Sequence, residues 1–409
     1  MPYTFHTDTD PERFREFVLN SNQNTLFQNP EWALVKEDSW NSIIASVTEN
    51  GEMVAAALIL IRPIVFGKTM FYIPRGPVMD WHNQSLVTFM LDHLKELARK
   101  NHAMVLRFDP YVIYRQYDIK EKDQEHPAQN EDVIAFLKQY GAEHKGFTKR
   151  IEEATQPRYN IIMKVDDSWK DRLIKNTRQS IRTAEKRGAE CFEGPEYIPD
   201  LRTALHFTET RQGIVLRSEA YFRRMAEVYK DHCIVMIAKL NFAREAERLN
   251  RDLSETEEQL AKAQSKKETA RLEKQIENDR AELKRIEEYR KNESGDEVVL
   301  CGKMVIFNEK RMEFVYMGNN TNYMRVRANY WLYSKCLERC QELGIEVCSF
   351  GGVEGTLDDG LTQFKSAWPV EVEEMIGEFN IVLDPLVYRI FTDVYPLLLK
   401  TAAKLRSKH

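Results

Sequence analysis

Residues 53–63 read MVAAALILIRP, an apolar run that predicts a buried β-strand. The run KTMFYI at 68–73 predicts its partner in a hairpin, and the amphipathic pattern of 85–100 predicts a helix. A further strand is predicted at 103–108, AMVLRF, and it ends at Asp109-Pro110. Together these segments predict one compact unit in the order strand, strand, helix, strand.

The same order of parts returns in the second half of the chain. Strands are predicted at 298–307, 311–316 and 346–350, with a helix at 330–343 before the last strand, which ends at Gly351-Gly352. A repeated order of this kind indicates an internal duplication. The sequence therefore predicts two similar α/β domains side by side, with a ligand cleft between them.

Length and composition agree with two folded units. The chain has 409 residues, 43% of them hydrophobic and 30% charged, which exceeds what one core usually organises and excludes a disordered chain. The formal net charge is −5. An anionic partner would therefore have to meet a local basic patch.

Cysteine usage and the chain ends predict a soluble protein of a reducing compartment. The six cysteines are scattered through apolar runs, as expected for reduced, buried thiols. Cys336 and Cys340 have helical i, i+4 spacing without a nearby His, which disfavours a zinc site. The N-terminus is polar, and no run reaches the roughly 18 apolar residues of a membrane span.

An insertion at 241–295 differs in composition from its surroundings, being rich in Glu, Lys, Arg, Ala and Leu. Apolar positions alternate in steps of three and four before and after a break near 264–269, which predicts an antiparallel two-helix coiled-coil arm. Lys266 and Lys267 at its tip are candidates for contact with a folded RNA. The alternative is a plain solvated stalk, since the arm's charges nearly cancel.

The densest basic patch is the segment 168–188, which predicts one helix that ends at Gly188. Its density favours a phosphate-bearing partner; the alternative is a solvated helix balanced by acidic neighbours. Arg211 and Arg217 follow as guanidiniums that could bind phosphate or carboxylate oxygens. The candidate nucleic-acid contacts of the helix are Lys175, Arg178, Arg182, Lys186 and Arg187.

Motifs for covalent or nucleotide-hydrolysing chemistry are missing from the sequence. There is no G-x-x-x-x-G-K-[ST], no G-x-S-x-G and no H-E-x-x-H. Direct transfer between two bound substrates remains, with the protein supplying position and charge. Asp109 and Lys365 follow corresponding strand ends and are the candidate catalytic residues. Their alternatives are an Asx-turn for Asp109 and a surface position for Lys365.

Several stretches resemble the Fem family of peptidoglycan-branching aminoacyltransferases, in the right order over essentially the whole chain. The similarity is closest to the MurM-like branch, and the insertion falls where longer members carry theirs. The stretches are Trp32–Lys36, Met70–Pro77, Arg107–Pro110, Thr177–Arg182, Phe364-Lys365 and Ile376–Phe379.

The resemblance implies two acetyltransferase-type, GNAT-like domains and a helical arm. The implied bounds are 1–155 for the first domain, 156–240 with 296–380 for the second, 241–295 for the arm and 381–409 for a C-terminal helical extension. It also implies transfer of Ser, Ala or Gly from aminoacyl-tRNA to the lysine amine of a peptidoglycan stem peptide. The implied acceptor is lipid II or UDP-MurNAc-pentapeptide.

By the same resemblance, Lys36 and Arg211 would hold the acceptor's phosphates, with Arg217 as the competing candidate. Tyr316 would line the peptide channel beside Phe364, and Lys365 would stabilise the oxyanion. Asp109 matches an aspartate considered as proton acceptor in the family. No glycine-rich pyrophosphate loop opens a helix, so coenzyme A is disfavoured and no cofactor or metal is expected.

Two other functions remain open from sequence alone: aminoacylation of a protein N-terminus, and a non-catalytic scaffold that binds tRNA or the cell envelope. The end of the chain, 395–409, reads YPLLLKTAAKLRSKH. This pattern predicts peripheral contact with the inner face of the cell membrane by a cytoplasmic protein. The alternative is a packed helix with a solvated tail.

Overall fold

The computed structural model describes residues 3–64 and 67–394, which form two mixed β-sheets flanked by helices. The first sheet has the strand order β1-β2-β3-β4-β6-β16-β8, and β5 pairs with β3. Its strands are β1 Tyr3–His6, β2 Asn41–Glu49, β3 Glu52–Pro63, β4 Thr69–Arg75, β5 Val78–Met79, β6 Ala103–Pro110, β8 Glu143–His144 and β16 Phe379–Val382. The helices of this half are α1 Pro11–Leu19, α2 Pro30–Lys36, α3 Gln84–Lys100 and α4 Glu131–Tyr140.

The second sheet has the order β10-β11-β12-β13-β14-β9-β15-β7. Its strands are β7 Ile113–Asp118, β9 Tyr159–Lys164, β10 Ala189–Glu193, β11 Cys233–Asn241, β12 Glu297–Phe307, β13 Arg311–Asn319, β14 Val347–Val353 and β15 Glu371–Met375. The remaining helices are α5 Lys175–Lys186, α6 Ile198–Gln212, α7 Glu219–Tyr229, α8 Phe242–Lys262, α9 Lys266–Lys291, α10 Ala328–Glu342, α11 Gly360–Lys365 and α12 Pro385–Arg389, followed by a π-helical turn at Ile390–Val394.

Both units repeat the predicted order of two antiparallel strands, a helix and a parallel strand. In the first unit these are β3, β4, α3 and β6; in the second they are β12, β13, α10 and β14. Every element lies within three residues of its predicted position. The prediction of two similar α/β units is therefore confirmed.

Two strands cross between the units. β7 follows the last core strand of the first unit but pairs with β15 in the second sheet, and β16 returns from the second unit to pair with β6 in the first sheet. The predicted bounds at 155 and 380 therefore do not separate the two sheets, because β7 lies inside the predicted first domain and β16 spans the bound at 380.

One hydrophobic core is shared by the two units. Alternate residues of β3 face opposite sides, and Ala56, Leu58 and Leu60 join a cluster that also contains Ile237 and Met304 of the second sheet. Helices α1, α2, α6 and α7 also contribute to this cluster. Since each fully buried aliphatic side chain contributes roughly 1.5–3 kcal/mol, the cluster holds the two sheets in one arrangement.

The two parallel strand pairs differ at their carboxyl ends. β4 and β6 stay paired from Thr69↔Ala103 to Arg75↔Pro110. β13 and β14 pair only from Arg311↔Val347 to Glu313↔Ser349, and the rest of each strand diverges from the other. The first pair is closed to its end, whereas the second is splayed.

The insertion forms two antiparallel helices, α8 and α9, joined by a short turn at 263–265. Gln275 Nε2 donates to Thr256 Oγ1 at 3.2 Å, and Arg280 pairs with Glu257 across the helices. The buried positions between them include Leu249, Leu253, Leu272 and Ile276. These residues belong to the apolar series that predicted the arm.

Within residues 3–64 and 67–394, no helix combines the length and the apolar character needed to cross a membrane. The predicted membrane-contact segment, 395–409, lies outside the described residues.

Candidate functional site

Lys36 and Arg217 form a pair of neighbouring cations at the junction of the two units. Lys36 ends helix α2, and its Nζ donates to the Tyr221 hydroxyl at 2.8 Å and lies 4.2 Å from the centre of the Trp32 ring. The Arg217 guanidinium lies 5.4 Å from the Tyr221 ring. Burial, together with the positive charge of Arg217, lowers the pKa of Lys36 to about 8.

No carboxylate of the described residues pairs with either cation. Two like charges that repel each other without a counter-ion favour the binding of an anion. Tyr316 lies beside them, with its ring 4.8 Å from Phe222 and 6.2 Å from Tyr221. The arrangement suits a phosphate group held against an aromatic wall.

Arg211 is not part of this pair. It lies in the last turn of α6 and is exposed, and no carboxylate of the described chain pairs with it. Of the two arginines left open by the sequence, the structure places Arg217 beside Lys36.

Asp109 is buried at the closed end of the β4–β6 pair, with 3% of its surface exposed. Its Oδ1 accepts the backbone N–H of Arg75 at 2.7 Å, and its Oδ2 accepts the hydroxyl of Tyr72 at 3.0 Å. These bonds join β6 to β4, so the Asx-turn alternative is wrong. Burial raises the pKa of Asp109 to about 7, although Arg75 and both hydrogen bonds oppose the shift.

A second buried carboxylate, Glu378, lies close to Asp109. It accepts the backbone N–H of Thr155 at 2.8 Å, and Arg107 Nε lies 3.2 Å from its Oε1. Arg107 also donates to Asn380 Oδ1 at 2.9 Å across the β6–β16 pair. The strand exchange therefore brings three of the sequence stretches, 70–77, 107–110 and 376–379, into one polar network.

Lys365 ends helix α11 at the splayed strand ends of the second unit and is 1% exposed. The surface alternative for this lysine is therefore wrong. Its Nζ donates to the carbonyls of Gly351 at 3.1 Å and Gly352 at 3.0 Å. Burial lowers its pKa to about 7, against the attraction of Asp359. An ammonium carries three N–H donors, so one donor of Lys365 has no protein acceptor in the described chain.

Phe364, the residue before Lys365, borders a cavity of about 370 Å³, which Lys365 itself does not line. Its ring lies 4.8 Å from Tyr330 and 5.0 Å from Tyr333. Asn319 from β13, with Arg327 and Asn329 at the start of α10, adds polar groups to the wall.

Behind that wall, Lys303 is a fully buried lysine that sequence reasoning missed. Its Nζ donates to Asn329 Oδ1 at 2.6 Å and lies 3.8 Å from the centre of the Tyr333 ring. Burial lowers its pKa to about 8. The sequence signal that could have found it was a charge inside the apolar run of β12, since lysine is almost never fully buried without a partner.

The basic helix α5 presents four of its five candidate residues on one exposed stripe. Lys175, Arg178, Arg182 and Lys186 recur every three or four residues, and none pairs with a carboxylate of the described chain. The alternative of neutralisation by acidic neighbours is therefore not observed at contact distance. Arg187, in contrast, lies 3.5 Å from Glu282 of the arm.

Two contacts fix where the stripe begins and ends. Thr177 Oγ1 donates to the carbonyl of Ala367 at 2.7 Å, two residues after Lys365. Arg248 Nη2 of the arm donates to the carbonyl of Lys186 at 2.9 Å. The stripe therefore runs from the Lys365 region to the base of the arm, while Lys266 and Lys267 are exposed at the arm's tip.

Strand β13 connects the Lys36 and Lys365 regions. Tyr316 faces Tyr221 and Phe222, whereas Sδ of the next residue, Met317, accepts the hydroxyl of Tyr333 at 2.6 Å. Tyr333 in turn contacts Phe364. Tyr316 and Met317 thus point to opposite faces of one strand, the first toward Tyr221 beside Lys36 and the second toward Tyr333 beside Phe364. No hydrogen bond or ion pair of the described residues joins Lys36 to Lys365 directly.

Comparison with known proteins gives consistent relatives. The sequence profile of the FemAB family matches residues 9–395. The lipid II:glycine glycyltransferase of Staphylococcus aureus strain MRSA252 is 26% identical over 417 residues, covering 96% of this chain and 96% of that protein. The aminoacyltransferase FemA of Staphylococcus epidermidis strain RP62A is 25% identical over 380 residues, covering 87% and 90%. The crystal structure of FemX shares the fold, with a TM-score of 0.75 at 23% identity and coverage of 95% and 99%.

Proposed function

The chain belongs to the FemAB family and is an acyltransferase, and we propose that it transfers an aminoacyl group from a charged tRNA to a peptidoglycan precursor. Its curated relatives include a lipid II:glycine glycyltransferase, which supports addition to an interpeptide branch. The proposed donors are seryl-, alanyl- or glycyl-tRNA, and the proposed acceptor is the stem-peptide lysine of lipid II or UDP-MurNAc-pentapeptide. Membership of the MurM-like branch stays a prediction.

The observation that carries the proposal is the presence of two cationic regions, neither neutralised by carboxylates, on either side of β13. A reaction between two phosphate-bearing substrates requires separate sites that converge on one bond. One region is the Lys36–Arg217 pair, and the other is the α5 stripe that ends beside Lys365.

The acceptor is assigned to the Lys36–Arg217 pair. Both proposed acceptors carry a diphosphate, and a guanidinium beside an ammonium provides several charge-assisted hydrogen bonds to its oxygens. Binding also removes the repulsion between the two cations. Tyr316, at the edge of this site, would then border the path of the stem peptide.

The donor tRNA is assigned to the α5 stripe. Regularly spaced cations on one helix face bind the phosphate backbone without reading sequence. Since the first turn of α5 is bonded to Ala367, a backbone that follows the stripe leads its aminoacyl end toward Phe364 and Lys365. The arm, attached at the other end of α5, would support the body of the tRNA through Lys266 and Lys267.

The chemical step is attack of the neutral lysine amine on the ester carbonyl of the donor. The new C–N bond forms, the carbonyl oxygen becomes an oxyanion, and the ester C–O bond then breaks to release the tRNA hydroxyl. We assign oxyanion stabilisation to the third N–H of Lys365. A buried ammonium is effective there because the surrounding dielectric is low.

The amine must lose a proton, because its reference pKa is about 10.4. Asp109 has a pKa close to neutrality, but both of its oxygens bond to β4 at the closed strand end. We therefore assign Asp109 a positioning role, in which it fixes the end of the first sheet. The substrate ammonium therefore gives its first proton to solvent before the attack, and the second proton, which the nitrogen loses once the C–N bond has formed, passes to the departing tRNA oxygen.

Lipid II is a membrane lipid, so the proposed reaction places the protein at the inner face of the cell membrane. A cytoplasmic protein in peripheral contact with that surface would reach both the lipid-linked acceptor and the tRNA.

The test is a transfer assay with purified protein and a panel of charged tRNAs. Radiolabelled seryl-, alanyl- and glycyl-tRNA are each offered with lipid II, with UDP-MurNAc-pentapeptide and with an unrelated peptide that has a free N-terminus. We expect label on the stem-peptide lysine with at least one donor. Label on the peptide's N-terminus alone would favour protein aminoacylation.

Uncharged tRNA and free amino acid with ATP serve as controls. Both should give no product, because the acyl group must arrive as an ester. Binding of tRNA regardless of charging, with no transfer to any acceptor, would leave only the scaffold function and would refute the proposal.

A further inference from the structure

The loop between α6 and α7 presents two apolar side chains to solvent. Val215 is 92% exposed and Ile214 is 43% exposed. Both are β-branched residues, which are usually found in protein interiors. Such a pair at a loop tip is therefore a feature that the fold itself does not require.

The base of this loop is held firmly. The backbone N–H of Gly213 donates to the carbonyl of Glu209 at 2.8 Å, and the N–H of Leu216 donates to Glu209 Oε1 at 2.6 Å. The Glu209 carboxylate is buried and pairs with Arg202 at 2.8 Å. Leu216 itself packs on the core shared by the two units. The structure thus anchors the loop on both sides of its exposed tip.

The exposed apolar residues adjoin the anion site. Val215 precedes Arg217 by two residues, a separation of at most about 7 Å along the chain. Arg217 is therefore close to a solvent-exposed apolar side chain, and the exposed Arg211 lies in the last turn of α6, just before the loop.

We infer that the loop tip Ile214-Val215 is a membrane-contact surface that enters the headgroup region of an anionic bilayer. Apolar side chains beside basic residues bind such an interface, because the apolar groups reach the acyl boundary while the cations meet lipid phosphates. The charge of the surface selects this occupant: Lys36, Arg211 and Arg217 pair with no carboxylate of the described chain.

The inference deepens the proposed function and rests on it for orientation alone. In a lipid-linked acceptor the diphosphate lies at the bilayer surface, between the sugar and the acyl region. If Lys36 and Arg217 hold that diphosphate, the bilayer must lie within a few ångströms of the loop tip. Ile214 and Val215 would set the depth at which the anion site meets the membrane.

The first experiment measures binding to vesicles without any substrate. Full-length protein is sedimented with vesicles of phosphatidylglycerol and phosphatidylethanolamine, as wild type and as the double variant Ile214→Ser/Val215→Ser. We expect the partition coefficient of the double variant, calculated from its bound fraction, to be at least tenfold lower than that of wild type. The control Leu343→Ser changes another exposed leucine, at the end of α10, and should bind as wild type does.

Serine adds no charge, so a loss of binding reports the missing apolar surface. Thermal unfolding should be unchanged in all three proteins, because the tip is exposed. Wild-type protein that stays in the supernatant, or a double variant that sediments like wild type, would overturn the inference. The second result would assign membrane contact to another part of the chain.

The second experiment uses Val215→Trp with bromine-labelled lipids, which quench a nearby indole. After subtraction of the wild-type signal, we expect quenching by lipids brominated near the headgroup end of the acyl chain. Fluorescence of the introduced indole that brominated vesicles leave unquenched would contradict insertion of the loop.

Activity separates this inference from the proposed function. The Ile214→Ser/Val215→Ser variant should transfer normally to soluble UDP-MurNAc-pentapeptide and at least tenfold more slowly to lipid II in vesicles. Equal loss on both acceptors would refute the membrane role. If wild type transfers to neither acceptor, the proposed function fails, while sedimentation and quenching still decide the surface.

Discussion

The two parallel strand pairs share one topology, but their carboxyl ends differ in structure. At the end of β4–β6 in the first unit, Asp109 bonds to Arg75 and Tyr72, and the strands remain paired. At the end of β13–β14 in the second unit, Gly351 occupies the corresponding place and the strands separate. The Lys365 ammonium, from a helix outside the sheet, binds the glycine carbonyls there.

This difference teaches how one duplicated unit supports two roles. The buried carboxyl group of Asp109 has its hydrogen bonds satisfied by two protein donors, so the first unit is closed by its own polar groups. The buried Lys365 ammonium has only neutral carbonyls as hydrogen-bond acceptors, so one of its N–H donors stays unused within the described chain. In the proposed reaction, the first unit thus provides a fixed wall, and the second provides the group that responds to the developing negative charge.

The largest effect on the transfer rate is expected from removing the Lys365 ammonium at the splayed end of β13 and β14. Lys365→Met keeps the side-chain volume but removes the proposed oxyanion donor, whose loss typically costs about 10²–10³-fold in turnover. We expect single-turnover transfer to fall by that factor, with the KM of the acceptor nearly unchanged. The two glycine carbonyls lose a partner, so stability should also fall by about 1–3 kcal/mol.

Lys303→Met is the matched control for Lys365→Met. Lys303 is also fully buried in the second unit and also loses a hydrogen bond on substitution. A similar loss of stability with less than about tenfold loss of rate would separate catalysis from folding. Equal rate losses in the two variants would remove the special role of Lys365.

A smaller effect, on binding, is expected at the unit junction. Lys36→Met and Arg217→Met each remove charge-assisted hydrogen bonds worth roughly 1.5–3 kcal/mol, so the KM of the acceptor should rise by about 10–150-fold. The KM of the tRNA should not change. Because each substitution also relieves repulsion between the two cations, the free protein should be no less stable.

Arg211→Met is the comparison variant at this site. Arg211 is exposed and lies apart from the Lys36–Arg217 pair, so we expect its acceptor KM within about twofold of wild type. If Arg211→Met were the stronger variant, the acceptor phosphates would bind at the end of α6 instead.

A third prediction concerns the stripe that leads to the open end. Arg178→Gln/Arg182→Gln should weaken tRNA binding and lower the slope of log affinity against log salt by about 0.7–0.9 for each phosphate that is no longer neutralised. Arg172→Gln is the control, because Arg172 already pairs with Asp166 at 2.6 Å. An unchanged slope in the double variant would place the tRNA elsewhere.

The duplicated fold could be predicted because local signals carried it. Apolar runs, helix periodicity and strand ends all repeat in the same order, and these depend on near neighbours in the sequence. The arm was predictable for the same reason. The exchange of β7 and β16 was not, since strand pairing across the units depends on contacts between residues more than 250 positions apart.

The residues of the candidate site could be predicted better than their arrangement in space. Lys36 was found through resemblance and Lys365 through its place after a strand end, but the choice between Arg211 and Arg217 depended on how α6 ends and where the following loop turns. Tyr221 and Lys303 were missed because their roles come from partners distant in sequence, Lys36 for the first and Asn329 for the second. The burial that lowers the pKa of Lys365 could not be predicted either. It depends on how helix α11 packs in the fold, and the residues near Lys365 in the sequence do not indicate it.

The smallest effect is expected at the closed end, from Asp109→Asn. Asparagine can accept from the Arg75 N–H and donate to the Tyr72 hydroxyl, so the link between β6 and β4 should be kept. The transfer rate should stay within about threefold of wild type. The folded pKa of Asp109 is about 7, above the unfolded value of about 3.9. The folded state therefore holds one more proton than the unfolded state between these pH values.

The sign of the pH effect follows from that extra proton. Stabilisation by protonated Asp109 is complete below about pH 4 and is lost as pH rises to about 7, because the unfolded state binds fewer protons in that window. The unfolding free energy of wild type minus that of Asp109→Asn should thus fall between about pH 5 and 8, by about 1–3 kcal/mol since one pKa unit is about 1.36 kcal/mol. Urea unfolding of both proteins across this range measures the difference. A flat difference would mean that Asp109 is ionised in the fold, and a hundredfold loss of transfer would make it the proton acceptor and remove the contrast between the two strand ends.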